Sequence, residues 1–447
     1  MNKKVSWIAT VMLLCILNAG QLLAQEKRVL NLQEAIDLSI KNSGQLKGSQ
    51  AKIEESLAAL KEANEKKLPE ANVTGSHIRL NSPNVDLKVK SNNSNGGTSE
   101  PAGKVSSATY GIMNVSLPIY SGLRIRYGIE SARYLAEATK LDAENDQEGV
   151  ILNTINAFDN LYKSKAAADL VKENLESARE RVKQFTNLEK NGLLARNDLL
   201  KVELQASNTE LALLDAENNW KLANIAMDLM LGLPETTELV PDVQGFKTTT
   251  QIKAVDDYVQ LALQNRKDKA ALELRKKAAA TGVKAVKGEI YPSIALTGGY
   301  IGAYVPNLLT VYNAVNIGVG VQYSLSSLWK NKSKVEQAQA RQRQIEANEQ
   351  VLSEGIRYQV NQAYQGYLLS QKKIEVYDKA VSQAAENYKI VKNKYDNALA
   401  NTTDLLDADV AQLQAKLNFA FSKSDAAVAY NKLLQTAGLL KAQTENK

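Results

Sequence analysis

Cysteine and histidine are almost missing from this chain, with one of each in 447 residues, and there are only eight prolines. Cys15 lies within the first twenty residues. If that stretch is removed no thiol remains, which excludes a disulfide framework, a thiolate nucleophile and a cysteine metal site. His77 is the one imidazole, so Ser-His-Asp hydrolysis, histidine-clustered zinc and histidine general-base chemistry must use it or be absent. No glycine-rich phosphate loop, metal cluster or nucleophile constellation appears either, so no catalytic residue, metal or cofactor is expected. Beyond the N-terminus there is no run of about 18 apolar residues, which excludes a polytopic helical membrane protein and leaves a β-barrel open. The formal charge is only +6 and its signs are interspersed, too weak a balance to imply nucleic acid.

What is present begins with Lys3 and Lys4, an apolar run over residues 7–17, and Leu22-Leu23-Ala24 before Gln25. That is the layout of a cleavable secretory signal, residues 1–24, with cleavage after Ala24. The run is too short to anchor across about 30 Å of hydrocarbon. Cys15 follows Leu14 in the middle of the run, which argues against acylation.

Self-comparison gives the strongest signal. Residues 35–42 (AIDLSIKN) align with 258–265 (YVQLALQN) at an offset of 223, which also superimposes Leu68-Pro69 on Tyr291-Pro292 and Gly75 on Gly298. Farther on, an offset of 206 aligns Asn191 with Asn397, Asp198-Leu199-Leu200 with Asp404-Leu405-Leu406, and Gly232 with Gly438. The expected organisation is a first repeat over 25–240 and a second over 241–447. The first is longer by 17 residues in its middle, where residues 81–107 are rich in Asn, Ser and Gly and read as a polar loop. A tandem pair of independent soluble domains is the alternative.

Each repeat reads helix, strand, loop, strand, very long helix, turn, helix. Strands are expected at about 71–80, 108–119, 293–304 and 313–325. Val315, Ile317, Val319, Val321, Tyr323 and Leu325 alternate with Asn316, Gly318, Gly320, Gln322 and Ser324, so every apolar side chain falls on one face. Ten-residue strands match a tilted membrane crossing. Four strands cannot close a membrane barrel, however, because the smallest use about eight. The chain must form a soluble α+β fold or assemble with copies of itself. Two proline-free stretches, about 121–190 and 329–396, would each run about 100 Å as helices. Ile345, Leu352, Ile356, Ala363, Tyr367, Ile374, Val381, Tyr388 and Tyr395 recur at coiled-coil-like spacing, for which a long soluble stalk is the plain reading. Shorter helices, about 45–67 and 199–231, are nearly sufficient together to lie alongside the first of these stretches.

This order of elements, the duplication, the signal, Leu117-Pro118-Ile119-Tyr120-Ser121-Gly122 and the segment from Tyr395 through Asn397-Ala398 to Asp404-Leu405-Leu406-Asp407-Ala408 resemble the TolC-type outer-membrane efflux factors. The resemblance covers about residues 31–440. It implies a mainly α fold with a small β part, a homotrimer whose twelve strands close an outer-membrane barrel, and a continuous periplasmic α-helical barrel. It also implies a passive exit duct for efflux or type I secretion in a Gram-negative outer membrane, in contact with outer-membrane lipid. The partners would be a periplasmic adaptor and an inner-membrane transporter. The competing reading is a coiled-coil structural or adhesive surface protein with a small β membrane anchor.

The same resemblance assigns candidate residues. The turns near Asn191-Gly192 and Asn397-Ala398 would form the periplasmic mouth, with Asp404 and Asp407 as its cation-attracting constriction. The plainer role for Asp404 and Asp198 is helix capping, with Asn197 and Thr403 read as N-caps. Tyr395 and Asp198 match positions that latch the two hairpins, although a tyrosine on a helical stripe also reads as packing. The family's basic latch residue is replaced by Ala400, leaving Arg196 as a substitute, and Ala398 stands where a glycine is often found. Trp329 suits an interfacial aromatic belt that Tyr300, Tyr304 and Tyr323 can join, or simple junction packing. The orientation of His77 is open.

Overall fold

The structure, a computed structural model, describes residues 27–81, 105–242, 252–306 and 308–440. The expected signal with Cys15, and residues 82–104 of the expected polar loop, lie outside these. The elements in chain order are β1 (Lys27–Leu30), α1 (Leu32–Asn42), α2 (Gly44–Glu65), β2 (Glu70–Arg79), β3 (Ser107–Tyr120), α3 (Arg124–Lys190), α4 (Arg196–Leu231), β4 (Glu238–Pro241), α5 (Val255–Asn265), α6 (Lys267–Lys287), β5 (Ser293–Val305), β6 (Leu309–Gln322), α7 (Ser327–Asp396) and α8 (Thr402–Thr436). The last strand thus ends at Gln322, and Tyr323 and Leu325 follow it. Helices α3 and α7 contain 67 and 70 residues, several times the globular average of about 11–12.

By compactness the chain divides into two units, each drawing on both halves of the sequence. One comprises Met1–Gln50, Asp142–Lys269 and Val351–Lys447, and the other Ala51–Leu141 and Ala270–Gln350.

Within the first unit the duplication is visible in the core. Leu161, Met227 and Leu231 pack with Ala35 in one cluster, while Tyr367, Leu433 and Ala437 pack with Tyr258 in another. These are the same positions under the two offsets. Backbone conformation repeats too. The first helix of each repeat is broken where Ser43 and Arg266 adopt extended ψ values of 118° and 127°. Gly232 and Gly438 end α4 and α8 at φ of 70° and 68°, the left-handed region that disfavours a side chain. A Cβ on Gly232 would lie 2.9 Å from Asn42 Cγ, and one on Gly438 3.0 Å from the Arg266 backbone nitrogen. Each helix end is thus fitted against the break in the first helix of its own repeat. Gly438→Ala is expected to cost about 2 kcal/mol, because a left-handed alanine is forced against backbone. Gly232→Ala, opposed by a movable side chain, costs less. Thermal unfolding of the two variants checks this order.

The first repeat adds a polar anchor. Asn224 donates through Nδ2 to Asp228 Oδ2 at 2.8 Å and to the Thr237 carbonyl at 2.6 Å, while the Leu239 N–H donates to its Oδ1 at 2.8 Å. This ties α4 to β4, which pairs in parallel with β1. Asp228 is fully buried. Burial, with the charge of Glu235, pushes its carboxyl up to about 6. Between the ordinary carboxyl range near pH 4 and pH 6 the folded state keeps a proton that the unfolded state has lost, so stability falls as pH rises through that window. Asp228→Asn is expected to abolish the slope and to be more stable at pH 7 by about 2–3 kcal/mol. Denaturant unfolding between pH 4 and pH 7 measures both.

Candidate functional site

Two regions carry the geometry relevant to function. The first is an antiparallel sheet in the second unit, ordered β2-β3-β5-β6. Its register places Val73, Met113, Tyr300 and Val315 opposite one another in a single row across all four strands. The adjacent row on the other face is Asn72, Asn114, Gly299 and Asn316. In these rows one face is apolar and the other small or polar from edge to edge, while farther from the helices Ile112 and Ile301 pair on the second face. The apolar face is unburied, with Val315 at 76% and Ile317 at 82% exposure, which water does not favour and hydrocarbon does. Both edges, β2 and β6, have no further strand paired to them among the described residues.

The four aromatic residues expected at one interface separate into two levels. Tyr304 pairs with Thr310 at the far end of the β5-β6 hairpin, and Tyr300 lies four residues in from it, its hydroxyl accepting the Asn313 N–H at 3.2 Å. Tyr323 and Trp329, both exposed, follow β6 at the end that joins the helices. The levels are about twelve residues apart, or about 40 Å along a strand, and about 30 Å along a membrane normal at the usual tilt. His77 shares the apolar face at the far end, where its Nδ1 lies 2.7 Å from Thr109 Oγ1.

The second region is the tip of the paired helical hairpins in the first unit. The turns α3-α4 and α7-α8 have one geometry. Gly192 and Ala398 are left-handed at φ of 73° and 59°, and the Leu193 and Leu399 N–H groups donate back to Leu188 and Lys394 carbonyls at 2.9 and 2.7 Å. Ala398 thus accepts the strain its glycine counterpart avoids. The caps are not Asn197 and Thr403, which lie inside their helices. Asn401 caps α8 in a reciprocal box with Asp404, with Asp404 N–H to Asn401 Oδ1 at 2.9 Å and Asn401 N–H to Asp404 Oδ2 at 3.1 Å. The equivalent Ala195 has no side chain that can do this, so α4 starts without one. Asp404 therefore has a structural role on an exposed surface. Asp407, one turn on, is also exposed, and no partner is recorded for it among the described residues.

Phe185, Leu199, Val202, Leu405 and Leu406 join the hairpins in one core against which Tyr395 packs. The Tyr395 ring stacks on Phe185 with centroids 5.5 Å apart. Burial raises its phenol above the ordinary value; a hydrogen bond with Thr402 acts against this, and the Asp198 and Asp396 charges add to it. The other two expected latch residues have partners in their own hairpin: Asp198 with Lys201 at 3.2 Å, and Arg196 with Glu189 at 3.7 Å.

Local spacing does not reveal a buried ion pair that crosses between the hairpins here. Arg181 Nη1 donates to Asp409 Oδ2 at 3.0 Å, and Nη2 to the Tyr388 hydroxyl at 3.2 Å. The charged side chains are 8% and 7% exposed. Burial acts to lower the guanidinium, but the hydrogen bond and charge of Asp409 outweigh it and hold it above its usual value. A trace was visible in the sequence, since Asp409 interrupts an otherwise apolar stripe. Its partner lies 228 residues away, beyond the reach of local spacing. Arg181→Met is expected to destabilise the helical region by about 3–5 kcal/mol by leaving a buried carboxylate unpaired. Arg181→Met with Asp409→Leu should recover most of that loss in the same denaturant titration.

No helix among the described residues is long and apolar enough to cross a membrane, and none of their side chains form a group suited to a metal ion. A sheet with one hydrocarbon-compatible face, in a chain that also carries long duplicated helical hairpins, defines a membrane channel subunit that inserts through strands. The family described as outer membrane efflux protein matches residues 35–233 and 258–439, and the chain belongs to that family. It is an outer-membrane efflux protein of a Gram-negative bacterium. No curated protein matches it. Among solved structures it is similar to the outer membrane protein VceC of Vibrio cholerae (18% identity, TM-score 0.73, 91% of this chain and 96% of that one). It is also similar to the CmeC outer membrane channel of Campylobacter jejuni (19%, 0.73, 92% and 86%) and to the open MtrE channel of Neisseria gonorrhoeae (17%, 0.67, 92% and 89%).

Proposed function

We propose that three copies of this chain close a twelve-stranded barrel and act as a passive exit duct, without catalysis of their own. An inner-membrane transporter and a periplasmic adaptor would supply the cargo. The observation that carries this reading is the sheet itself: one face suits lipid, the other suits water, and both edges need partners of the same kind. Twelve is a strand number that membrane barrels use, and the small and polar face would line an aqueous lumen. The selection of cargo then belongs to the transporter, because a wide wet lumen discriminates weakly.

In this reading the two hairpin turns form the periplasmic mouth. Threefold symmetry brings three copies of Asp404 and Asp407 around one axis, a ring that favours cations. The Tyr395 stack on Phe185 holds the hairpins together at the tip, with the Asp198 charge acting on its phenol and Arg196 held by Glu189 in the first turn. Deeper in, the Arg181-Asp409 pair closes the same seam where water is excluded. Opening the mouth requires α8 to leave α3, so these contacts set how far it opens at rest.

Planar bilayers test the proposal with the purified full-length protein, which is expected to give small, cation-selective currents. Asp404→Asn with Asp407→Asn, which removes charge while leaving an acceptor for the cap, should lower cation selectivity. Unchanged selectivity would remove both residues from the constriction. Absence of any current would favour the structural stalk.

A further inference from the structure

The four junctions between helix and strand lie at one end of the sheet. Glu70 pairs with Ser116, Leu117 with Leu296 and Ser293 with Gln322, so α2, α3, α6 and α7 all meet the membrane at the same level. At that level, in the second unit, lies a concavity of about 310 Å³ lined by Lys67, Arg126, Ile129, Glu130 and Arg133. Three of the five are basic and exposed. The Arg133 guanidinium lies 5.6 Å from the Tyr134 ring centroid, and no carboxylate partner is recorded for Lys67, Arg126 or Arg133 among the described residues. The one acid, Glu130, accepts the Tyr134 hydroxyl at 3.3 Å.

Helix geometry gives the side on which this concavity opens. At about 100° per residue, Arg126, Ile129, Glu130 and Arg133 form one stripe of α3, and Gly128, Ser131 and Leu135 lie about half a turn away. The latter three line a cavity of about 820 Å³ that meets the basic concavity at Ile129; among its strand residues Ser116, Pro118 and Gln322 belong to the polar face of the sheet, with Ile294 of the other face at its edge. Arg126 and Arg133, half a turn from Gly128 and Leu135, therefore point away from that cavity, toward the side of the apolar face. Lys67 stands three residues before β2 and Arg126 two residues into α3, beside the level marked by Tyr323 and Trp329. Headgroups occupy about 5–8 Å on each side of the hydrocarbon, which is where these side chains lie.

We propose that this concavity binds the phosphate of an anionic phospholipid in the inner leaflet of the outer membrane, with Arg126 and Arg133 as its main ligands and Lys67 at its rim. Guanidinium groups bind phosphate through paired donors, and Ile129 offers an apolar surface where the headgroup meets its chains. The site rests on the duct reading only for the direction of the membrane.

The test uses the full-length protein, delipidated in detergent and titrated in native mass spectrometry with dioleoylphosphatidylglycerol, dioleoylphosphatidylcholine or inorganic phosphate. Phosphatidylglycerol is expected to bind at least tenfold more tightly than phosphatidylcholine. Arg126→Gln with Arg133→Gln should weaken it at least tenfold, while Lys330→Gln with Lys332→Gln, basic residues at the start of α7, leaves it within twofold. Equal affinity for the two lipids, or equal loss from the two pairs of variants, overturns the site. Inorganic phosphate that displaces phosphatidylglycerol at equal concentration assigns it to a free anion and overturns the lipid. Lipid binding is read without any current, so failure of the duct and failure of this site are separate results.

Discussion

The backbone at the two open edges of the sheet governs the rest of the molecule. In water, an unpaired strand edge exchanges its hydrogen bonds with solvent at little cost. In hydrocarbon each unpaired N–H or C=O costs several kcal/mol, so a sheet that enters lipid must close on itself. Four strands cannot curve enough to do so, and β2 and β6 are left to be completed by other copies of the chain. The exposed valines and Ile317 of β6 make sense only after that step, as does the polar face behind them. The tyrosines and Trp329 lie at two levels, one toward each end of the strands.

The helices follow from the same duplication that supplies the strands in pairs. Because each repeat contributes equivalent hairpins, the contacts between them can be tuned separately at each level. Along the seam between α3 and α8 the charged contacts run Lys163 to Asp425, Glu173 to Lys416 and Arg181 to Asp409. The first two have solvent access and contribute little, whereas the pair nearest the tip is buried. The cost of separating the hairpins is therefore concentrated close to the tip.

Much of this was legible in the residues because it rests on period and repetition. The alternation in Val315 to Val321 exposes a two-faced strand, and two offsets reveal the repeat, since both are local patterns that survive without any partner in view. The break at Ser43, the split of the aromatics into two levels and the cap at Asn401 were less legible. Asn401 and Thr403 are both residue types that cap, and only the reciprocal bond to Asp404 decides for Asn401. Of the Arg181-Asp409 pair only the acid within an apolar stripe was legible: a single sequence does not say which distant helix a buried arginine faces.

The central claim is that this sheet exists in lipid only as a closed assembly of three copies. Native mass spectrometry of the detergent-solubilised protein measures the number of chains per particle directly. Three chains per particle, with the strand signal retained, is the predicted result. A folded particle of one chain that keeps its strands, or one of two or four chains, would contradict the account.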